Sequence, residues 1–243
     1  MVLRATFVDL LDAILPARCP GCGRAGAAVC SACAATFAPA PIVPPPPPVE
    51  WWTACFAYEG VARELVARAK YRNERRFLVL VARELTGAIE VAPASIDLVT
   101  WPPASAARVR AHGIDHGELL ARTVARLTGV PVARCLHRAS GSAQTGLDAR
   151  ARRLGPPLRA IRRVDGAAIL VVDDVATTGG TLAAAARALR AAGARAVLAA
   201  TIARTRPPGR RLDVPAYTPP TPSGIRAPNS IGSTWTSSSS ASM

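Results

Sequence analysis

Apolar positions follow two different periods along the middle of the chain. Runs with the alternation or continuous apolar character of strands lie at 51–58, 97–101, 130–136, 168–172 and 196–202. Segments with helical spacing lie at 61–71, 77–90, 115–128 and 181–192. Strands that alternate with helices favour a mostly parallel sheet covered by helices on both faces. The pattern therefore predicts an α/β domain over residues 51–205.

The two ends of the chain differ in composition from this domain. Residues 1–38 contain a short amphipathic helix, predicted at 4–15, and a cysteine-rich module. Residues 39–50 are rich in proline and predict an extended polyproline II linker. Residues 206–243 are rich in Pro, Ser, Thr and Gly, and such a segment buries too little apolar surface to offset the entropy of ordering it. We therefore predict a disordered tail there.

Charge and hydropathy narrow the classes of function. The 243 residues carry a formal net charge of +14, and Lys70 is the only lysine. Such a surface attracts polyanions, which include nucleic acid, anionic lipid and phosphorylated metabolites. The first residues carry Asp9 and Asp12 and lack the features of a secretory signal, and no run of 18 uncharged apolar residues is present. We expect a cytoplasmic protein without a membrane span.

One segment joins a buried strand to a helix through two acids and a Thr/Gly-rich turn, ILVVDDVATTGGTLAAAARAL at 169–189. In open α/β sheets, ligands bind beyond the carboxyl ends of the strands. The N–H groups and hydroxyls of the turn at 176–181, with the positive end of the helix, suit a phosphate. Gly179 and Gly180 permit close backbone approach. The carboxylates of Asp173 and Asp174 suit the paired hydroxyls of a ribose.

Three other interpretations fit this segment less well. A Walker P-loop needs a lysine in the pattern GxxxxGK(S/T), and this turn has none. A response-regulator receiver also opens with two aspartates after a strand, but it needs a longer chain after them and a later lysine. A strand–turn–helix without a ligand leaves both the adjacent acids and the TTGGT turn unexplained. The sequence therefore favours a phosphate-binding turn.

The cysteine-rich module has the pattern CxxC-x7-CxxC, formed by Cys19, Cys22, Cys30 and Cys33. Two residues between cysteines let both sulfurs reach one ion, and four thiolates suit a closed tetrahedral Zn²⁺ site. Because no ligand position is left open, the zinc would be structural rather than catalytic. Accidental cysteine pairs and a redox dithiol are the alternatives. Cys55 and Cys135 lie in apolar contexts, where we expect small buried residues.

The acids and the turn resemble the phosphoribosyl-pyrophosphate signature of type I phosphoribosyltransferases. The resemblance implies that Asp173 and Asp174 bind the ribose hydroxyls of phosphoribosyl pyrophosphate and are the catalytic acids. It assigns the 5′-phosphate to Ala176, Thr177, Thr178, Gly179, Gly180 and Thr181. With the cysteine module in front, the chain resembles the ComF family, the competence-associated phosphoribosyltransferases that bear a zinc ribbon.

Further matches to the ComF family cover most of residues 5–205. They include AKYR at 69–72, RVRAHGIDHGELL at 108–120 and QTGL at 144–147. By resemblance, Arg108 and Arg110 bind the pyrophosphate end of the ligand, with a solvated basic loop as the alternative.

The resemblance assigns less specific roles to several other residues. Lys70 would contact a phosphate or lie in solvent, and Gln144 and Arg152 would belong to a loop over the site. His112 and His116 are expected to be solvated or capping residues rather than catalysts.

The chain departs from the ComF pattern in two places. Asp115 and His116 stand where the family has an amide pair, which would change the recognition of the acceptor. The family's asparagine that follows the QTGL region is missing, and Gly155 stands near its position.

The resemblance implies an enzyme that binds phosphoribosyl pyrophosphate with Mg²⁺ and transfers phosphoribose to an acceptor such as a nucleobase. A second hypothesis is a non-catalytic accessory of DNA uptake, whose zinc module and arginine surface bind single-stranded DNA or competence-machinery proteins. In both cases the expected fold is a type I phosphoribosyltransferase-like, mostly parallel sheet with helices on both faces. It would follow a small zinc module of four cysteines and precede a disordered tail.

Overall fold

The computed structural model describes residues 18–26, 29–71, 75–92, 94–139 and 155–206. The helices are α1 (Ser31–Ala34), α2 (Gly60–Tyr71), α3 (Arg75–Ile89), α4 (Ala106–His112), α5 (His116–Thr128) and α6 (Gly180–Ala191). The strands are β1 (Trp51–Ala57), β2 (Leu98–Thr100), β3 (Leu136–Arg138), β4 (Leu158–Ala160), β5 (Ala168–Ala176) and β6 (Ala196–Arg204).

Some predictions fall outside this part of the chain. They concern the helix at 4–15, the loop with Gln144 and Arg152, and the tail beyond Arg206. The side chains of Lys70 and His112 are likewise outside the described atoms.

In the described residues the main sheet has four strands in the order β1-β6-β5-β2, and each neighbouring pair is parallel. Strands buried on both faces need continuous apolar sequences. All nine residues of β6 are buried, as are the first five of β5, Ala168–Val172. The predicted mostly parallel sheet is confirmed.

The alternation of side chains along the central strands divides the core into two layers. Leu170 and Val172 of β5 point to one face of the sheet, where helices α2, α3 and α5 pack. Ile169 and Val171 point to the opposite face, against the apolar side of α6 and the start of β3. Successive strand residues face opposite sides. In the described residues both faces of the sheet are therefore covered, which leaves the ends of its strands as the place where ligands bind in such sheets.

Two boundaries differ from the sequence prediction. Strand β5 continues past Val172 to Ala176, so that Asp173 and Asp174 lie within the strand. The prediction of a strand over Val130–Leu136 is wrong, because the chain there makes only one parallel bridge, between Val132 and Val99. Pro131 has no N–H to donate to a ladder, which limits pairing at this point.

Two further elements form where the periodic pattern of the sequence is weak. Strand β3 begins at the end of the range 130–136 and pairs antiparallel with β4. The short helix α4 is fixed mainly by its ends, since Ser105 accepts a hydrogen bond from Arg108 N and Gly113 ends the helix with φ of 75°. No described helix combines the length and the apolar character needed to cross a bilayer.

The proline-rich segment 39–50 lies along the edge of the sheet. Pro39 forms a bridge with Phe56, and Glu50 N donates to Val197 O at 2.9 Å. Arg204, only 6% exposed, donates from Nη1 to Pro41 O and Val43 O, each at 3.2 Å. These contacts attach the segment to β1 and to both ends of β6.

The guanidinium of Arg204 also stacks on an aromatic ring. Its central carbon lies 3.4 Å from the centroid of the Trp52 ring. Burial lowers the pKa of Arg204 to about 10, which leaves it charged at neutral pH. A buried cation thus joins the proline-rich segment, β1 and β6.

Replacing Arg204 with Met should destabilise the protein. We expect a loss of about 3 kcal/mol in the free energy of unfolding, because two carbonyl acceptors lose their donor and Trp52 loses its cation. Urea denaturation measures the change. Arg63→Met, which alters an exposed arginine of α2, is the matched control and should change little. Equal effects of the two substitutions would contradict the role of Arg204.

Candidate active site and cysteine cluster

The paired acids lie at the carboxyl end of β5, where the strand leaves the core. Asp173 and Asp174 are half-buried. Asp173 Oδ1 accepts from Asp174 N at 2.9 Å, and Asp174 Oδ1 accepts from Val175 N at 2.6 Å. Bonds from the backbone to each carboxylate restrict its rotation. The strand therefore presents two fixed carboxylates at the carboxyl end of the sheet.

The turn that follows the acids is shorter than the predicted segment 176–181. Ala176 belongs to β5, and Gly180 and Thr181 belong to the first turn of α6. Gly179 caps the helix in the left-handed conformation, with φ of 75°. The first N–H groups of a helix lack partners within the helix, and they carry its positive end. The start of a helix next to the two acids is an arrangement suited to an anion.

A cleft of about 360 Å³ opens at this end of the sheet. Residues from several elements line it: Tyr58, Pro102, Pro103, Ala104, Arg108, Ile114, Asp115, His116, Gly117, Arg138, Asp173, Asp174, Val175, Thr177 and Thr181. The structure thus brings together Asp173, Asp174, Thr177, Thr181 and Arg108 of the residues that the sequence predicted. Ala176, Thr178, Gly179, Gly180 and Arg110 are not among the residues that line the cleft.

The two predicted arginines of α4 have different surroundings. Arg108 lines the cleft, and Arg110 is exposed outside it. Residues two apart on a helix do not face the same side. Of the two predicted arginines, only Arg108 therefore lies at the cleft.

Asp115 joins two segments that line the cleft. Its Oδ1 accepts from Gly117 N at 3.0 Å and Glu118 N at 3.3 Å, which caps helix α5. Its Oδ2 accepts from Ala104 N at 3.0 Å, in the loop that follows β2. One carboxylate therefore joins two segments of the wall. The adjacent His116 also lines the cleft.

Arg138 is the residue of the cleft that sequence reasoning missed. It ends β3, and its Nε donates to Pro103 O at 3.1 Å. Burial lowers the pKa of Arg138, the charge of Arg108 lowers it further, and the carboxylates of Asp173 and Asp115 oppose this change. Two arginines and two acids therefore line one cleft. Their guanidinium groups suit phosphate oxygens, which they bind in bidentate fashion.

The sulfurs of the four predicted cysteine ligands lie close together. The sulfurs of Cys19, Cys22, Cys30 and Cys33 all lie within 4.8 Å of one another. Cys22 Sγ and Cys30 Sγ are 3.6 Å apart. Thiolates at about 2.3 Å from a tetrahedral zinc ion are separated from one another by about 3.8 Å. The cluster therefore fits a metal ion such as zinc.

The surroundings of the cluster also fit a bound ion. A Cβ on Gly21 would lie 2.7 Å from Cys33 Sγ, so the turn between the first two cysteines has no room for a side chain. Burial raises the pKa of the Cys19 thiol, but N–H groups of Cys22, Cys30 and Gly21 outweigh it and hold this pKa at about 6. Side-chain hydrogen bonds with Cys19 and Cys30 raise the pKa of the Cys33 thiol to about 12, so a thiolate, the form that binds metal, is favoured at Cys19 and disfavoured at Cys33.

The cysteine cluster packs against the sheet domain. A Cβ on Gly21 would lie 2.9 Å from Val61 Cγ2 of helix α2. Arg68 Nη1 of the same helix donates to Arg18 O at 3.2 Å. The rings of Phe37 and Phe56 lie 4.6 Å apart. The module therefore shares contacts with α2 and β1.

Residues 114–220 match the phosphoribosyl transferase domain family. The matched range contains α5, Arg138, β5 with its acids, and the turn between β5 and α6. The described residues have the type I phosphoribosyltransferase fold, as predicted, with helices on a parallel sheet. No curated protein matches the chain.

Several solved structures resemble the chain. They include glutamine phosphoribosylpyrophosphate amidotransferase from B. subtilis, with 23% identity, coverage of 51% of this chain and 26% of that one, and a TM-score of 0.36. Phosphoribosylpyrophosphate synthetase from Mycobacterium smegmatis has 30% identity, coverage of 51% of this chain and 33% of that one, and a TM-score of 0.34. Adenine phosphoribosyltransferase from Thermoanaerobacter pseudethanolicus has 16% identity, coverage of 55% of this chain and 83% of that one, and a TM-score of 0.37. The aligned region spans only 26% and 33% of the first two proteins.

Removing one sulfur from the cluster should abolish tight metal binding. We expect Cys22→Ser, at the exposed corner of the cluster, to lower the zinc content of the purified protein well below one equivalent, because three thiolates leave the site open. Elemental analysis of dialysed protein measures this. Cys55→Ala, outside the cluster, is the control and should retain its zinc. Equal zinc contents in the two variants would rule out this site.

Proposed function

We propose that the chain is a ComF-like phosphoribosyltransferase that binds phosphoribosyl pyrophosphate with Mg²⁺ and transfers phosphoribose to an acceptor such as a nucleobase. The observation that carries this proposal is the cleft in which Asp173 and Asp174 lie beside the N-terminus of α6 and share the lining with Arg108 and Arg138. The match of this region to the phosphoribosyl transferase domain supports it.

The ribose and its 5′-phosphate are assigned to the sheet side of the cleft. The carboxylates of Asp173 and Asp174 accept hydrogen bonds from the ribose 2′- and 3′-hydroxyls. The N–H groups and hydroxyls of Thr177 and Thr181, with the positive end of α6, hold the 5′-phosphate. Because the acids and the turn are separated by only a few residues of one strand end, both groups of a single sugar phosphate reach their partners.

The pyrophosphate is assigned to the arginine side of the cleft. Arg108 and Arg138 bind its oxygens, and Asp115 keeps the wall between them in place through Ala104 N. A bound Mg²⁺, held mostly by ligand oxygens and water, would supply further neutralisation of the pyrophosphate charge. The protein's contribution is to hold the leaving group and the ribose in one orientation.

The transfer step breaks the bond between C1 of the ribose and the pyrophosphate oxygen. The bonding electrons leave with the pyrophosphate, whose increased charge Arg108 and Arg138 neutralise. A nitrogen of the acceptor attacks C1, where positive charge develops, and loses its proton to solvent or a basic group. The carboxylates of Asp173 and Asp174 lie on the same sugar and favour that positive charge electrostatically.

The cysteine cluster is assigned a structural Zn²⁺. Zinc binding could contribute on the order of 10 kcal/mol to the folding of such a short segment, which has too few residues for a core of its own. The contact of Gly21 with Val61 then fixes the module on α2.

Removing one negative charge from the paired acids should weaken ligand binding. We expect Asp174→Asn to raise the Kd for phosphoribosyl pyrophosphate with Mg²⁺ by about tenfold or more, because a charge-assisted hydrogen bond to the ribose is lost. Calorimetric titration of the zinc-loaded protein measures the affinity.

The matched control is Asp165→Asn, which alters an exposed acid whose partner is Arg163. Its affinity should equal that of the wild type. If the wild type binds no phosphoribosyl pyrophosphate but binds single-stranded DNA with a steep salt dependence, the DNA-uptake hypothesis replaces the proposal.

Arg138, which the sequence analysis did not identify, should affect only the pyrophosphate end of the ligand. We expect Arg138→Gln to weaken binding of pyrophosphate with Mg²⁺ by about tenfold and to leave ribose 5-phosphate binding unchanged, because a guanidinium fork is lost at the leaving group. Arg126→Gln, on the exposed side of α5, is the control and should alter neither affinity. Loss of both ligands in Arg138→Gln would contradict the assignment of Arg138 to the pyrophosphate.

A further inference from the structure

We infer that Pro46 is a positioning residue for the phosphate turn, so that the proline-rich segment forms part of the binding site for the ribose 5-phosphate. The inference rests on the proposed function, since it concerns the same cleft. It assigns to residues 39–50 a role beyond that of a linker between the cysteine module and the sheet domain.

Pro46 lies directly against the residue that caps α6. A Cβ built on Gly179 would lie 2.8 Å from Pro46 Cγ and 3.2 Å from Pro46 Cβ. Gly179 is buried, although the neighbouring Thr177 and Thr178 are exposed. The proline ring therefore covers the back of the turn whose front faces the cleft.

Gly179 meets two constraints at once. Its φ of 75° lies in the left-handed region, where residues with a side chain are strained. The nearby ring of Pro46 leaves no room for a side chain in any case. The position of the turn is thus set by the ring on one side and by helix α6 on the other.

The proline-rich segment is itself held in place on both sides of Pro46. Before it, Pro41 O and Val43 O accept from Arg204 Nη1, each at 3.2 Å. After it, Glu50 N donates to Val197 O of β6 at 2.9 Å. A proline ring has a fixed φ and loses little freedom when it is held against a neighbour. Pro46 is therefore a rigid contact rather than a mobile one.

The end of β6 connects this segment to the turn. Arg204 lies opposite Ala176 in the β5–β6 register and bonds to the proline-rich segment. The next residue, Thr205, donates from its N–H to Ala176 O at 3.0 Å and from Oγ1 to Thr177 O at 3.4 Å. The carboxyl end of β6 thus bonds both to the turn after β5 and to the proline-rich segment that covers this turn.

The consequence concerns affinity rather than folding. The N–H groups at the start of α6 bind a phosphate well only if they converge on one point, and a displacement of about 1 Å can cost orders of magnitude in rate or affinity. Pro46 prevents the turn from moving away from the cleft. Removing the ring should therefore weaken the 5′-phosphate contact and leave the pyrophosphate contact unchanged.

The test compares Pro46→Gly with Pro44→Gly, an exposed proline of the same segment. Both substitutions increase the freedom of the unfolded chain to the same degree, which makes them a matched pair. Calorimetry with ribose 5-phosphate and, separately, with pyrophosphate and Mg²⁺ measures the two ends of the site. We expect Pro46→Gly to raise the Kd for ribose 5-phosphate by about tenfold and to leave that for pyrophosphate within about twofold, and Pro44→Gly to change neither.

A second pair of variants tests the contact itself. Gly179→Ala should weaken ribose 5-phosphate binding, because the new Cβ meets Pro46 and the left-handed backbone is strained. Pro46→Gly removes the first cause, so the loss of affinity in the double variant should be smaller than the two single losses combined. Single losses that combine in full would show that Gly179 and Pro46 act independently, and would overturn the inference.

The remaining outcomes separate this inference from the proposed function. If the wild type binds neither phosphoribosyl pyrophosphate nor ribose 5-phosphate, both fall. If the wild type binds, Asp174→Asn loses affinity and Pro46→Gly matches the wild type, only the role of Pro46 is refuted. Equal losses for ribose 5-phosphate and pyrophosphate in Pro46→Gly would indicate a general structural defect, which also refutes it.

Discussion

Strand β5 is paired on both edges and covered on both faces, so a charged side chain among its first five residues would be buried without water. Burying an unpaired charge costs far more than an ordinary contact returns. The strand accordingly remains apolar through Val172 and carries its first acids only at Asp173 and Asp174. Those acids fall where the sheet ends and α6 begins. The burial of β5 thereby places the two carboxylates and the positive N-terminus of α6 at the same end of the sheet.

The lining of the cleft also carries positive charge from separate parts of the chain. Arg108 comes from α4 and Arg138 from β3, and both line the cleft with Asp173. Asp115 connects two segments of this lining through backbone hydrogen bonds. The lining thus combines carboxylates, guanidinium groups and residues of the first turn of α6, which come from separate elements of the described fold.

The sequence is most informative where the site is local. The strand, acids, turn and helix at 168–191 are contiguous, and short-range rules on burial, glycine conformation and helix ends apply to each part. The cysteine pattern is local in the same sense, because its spacing alone brings Cys19 and Cys22 near Cys30 and Cys33. Both features could therefore be predicted before any tertiary contact was known. The roles of the individual side chains toward a ligand remain proposals.

The features that the sequence did not reveal depend on contacts between distant segments. Arg138 reaches the cleft because β3 pairs with β4, which follows about twenty residues later in the chain. Pro131 interrupts a run of strand-like residues because it has no backbone N–H to donate. A prediction from apolar character alone does not take this missing N–H into account. The contact of Pro46 with Gly179 joins residues far apart in sequence, and a proline-rich composition suggests a linker instead.

The proposed function depends on one ribose phosphate binding between the acids of β5 and the first turn of α6. A crystal structure of the zinc-loaded protein with phosphoribosyl pyrophosphate and Mg²⁺ is the decisive experiment. We predict the ribose hydroxyls within hydrogen-bonding distance of Asp173 and Asp174, the 5′-phosphate at the N–H groups of Thr177–Thr181, and the pyrophosphate beside Arg108 and Arg138. A ligand bound elsewhere, or with its 5′-phosphate at the arginines, would contradict this assignment.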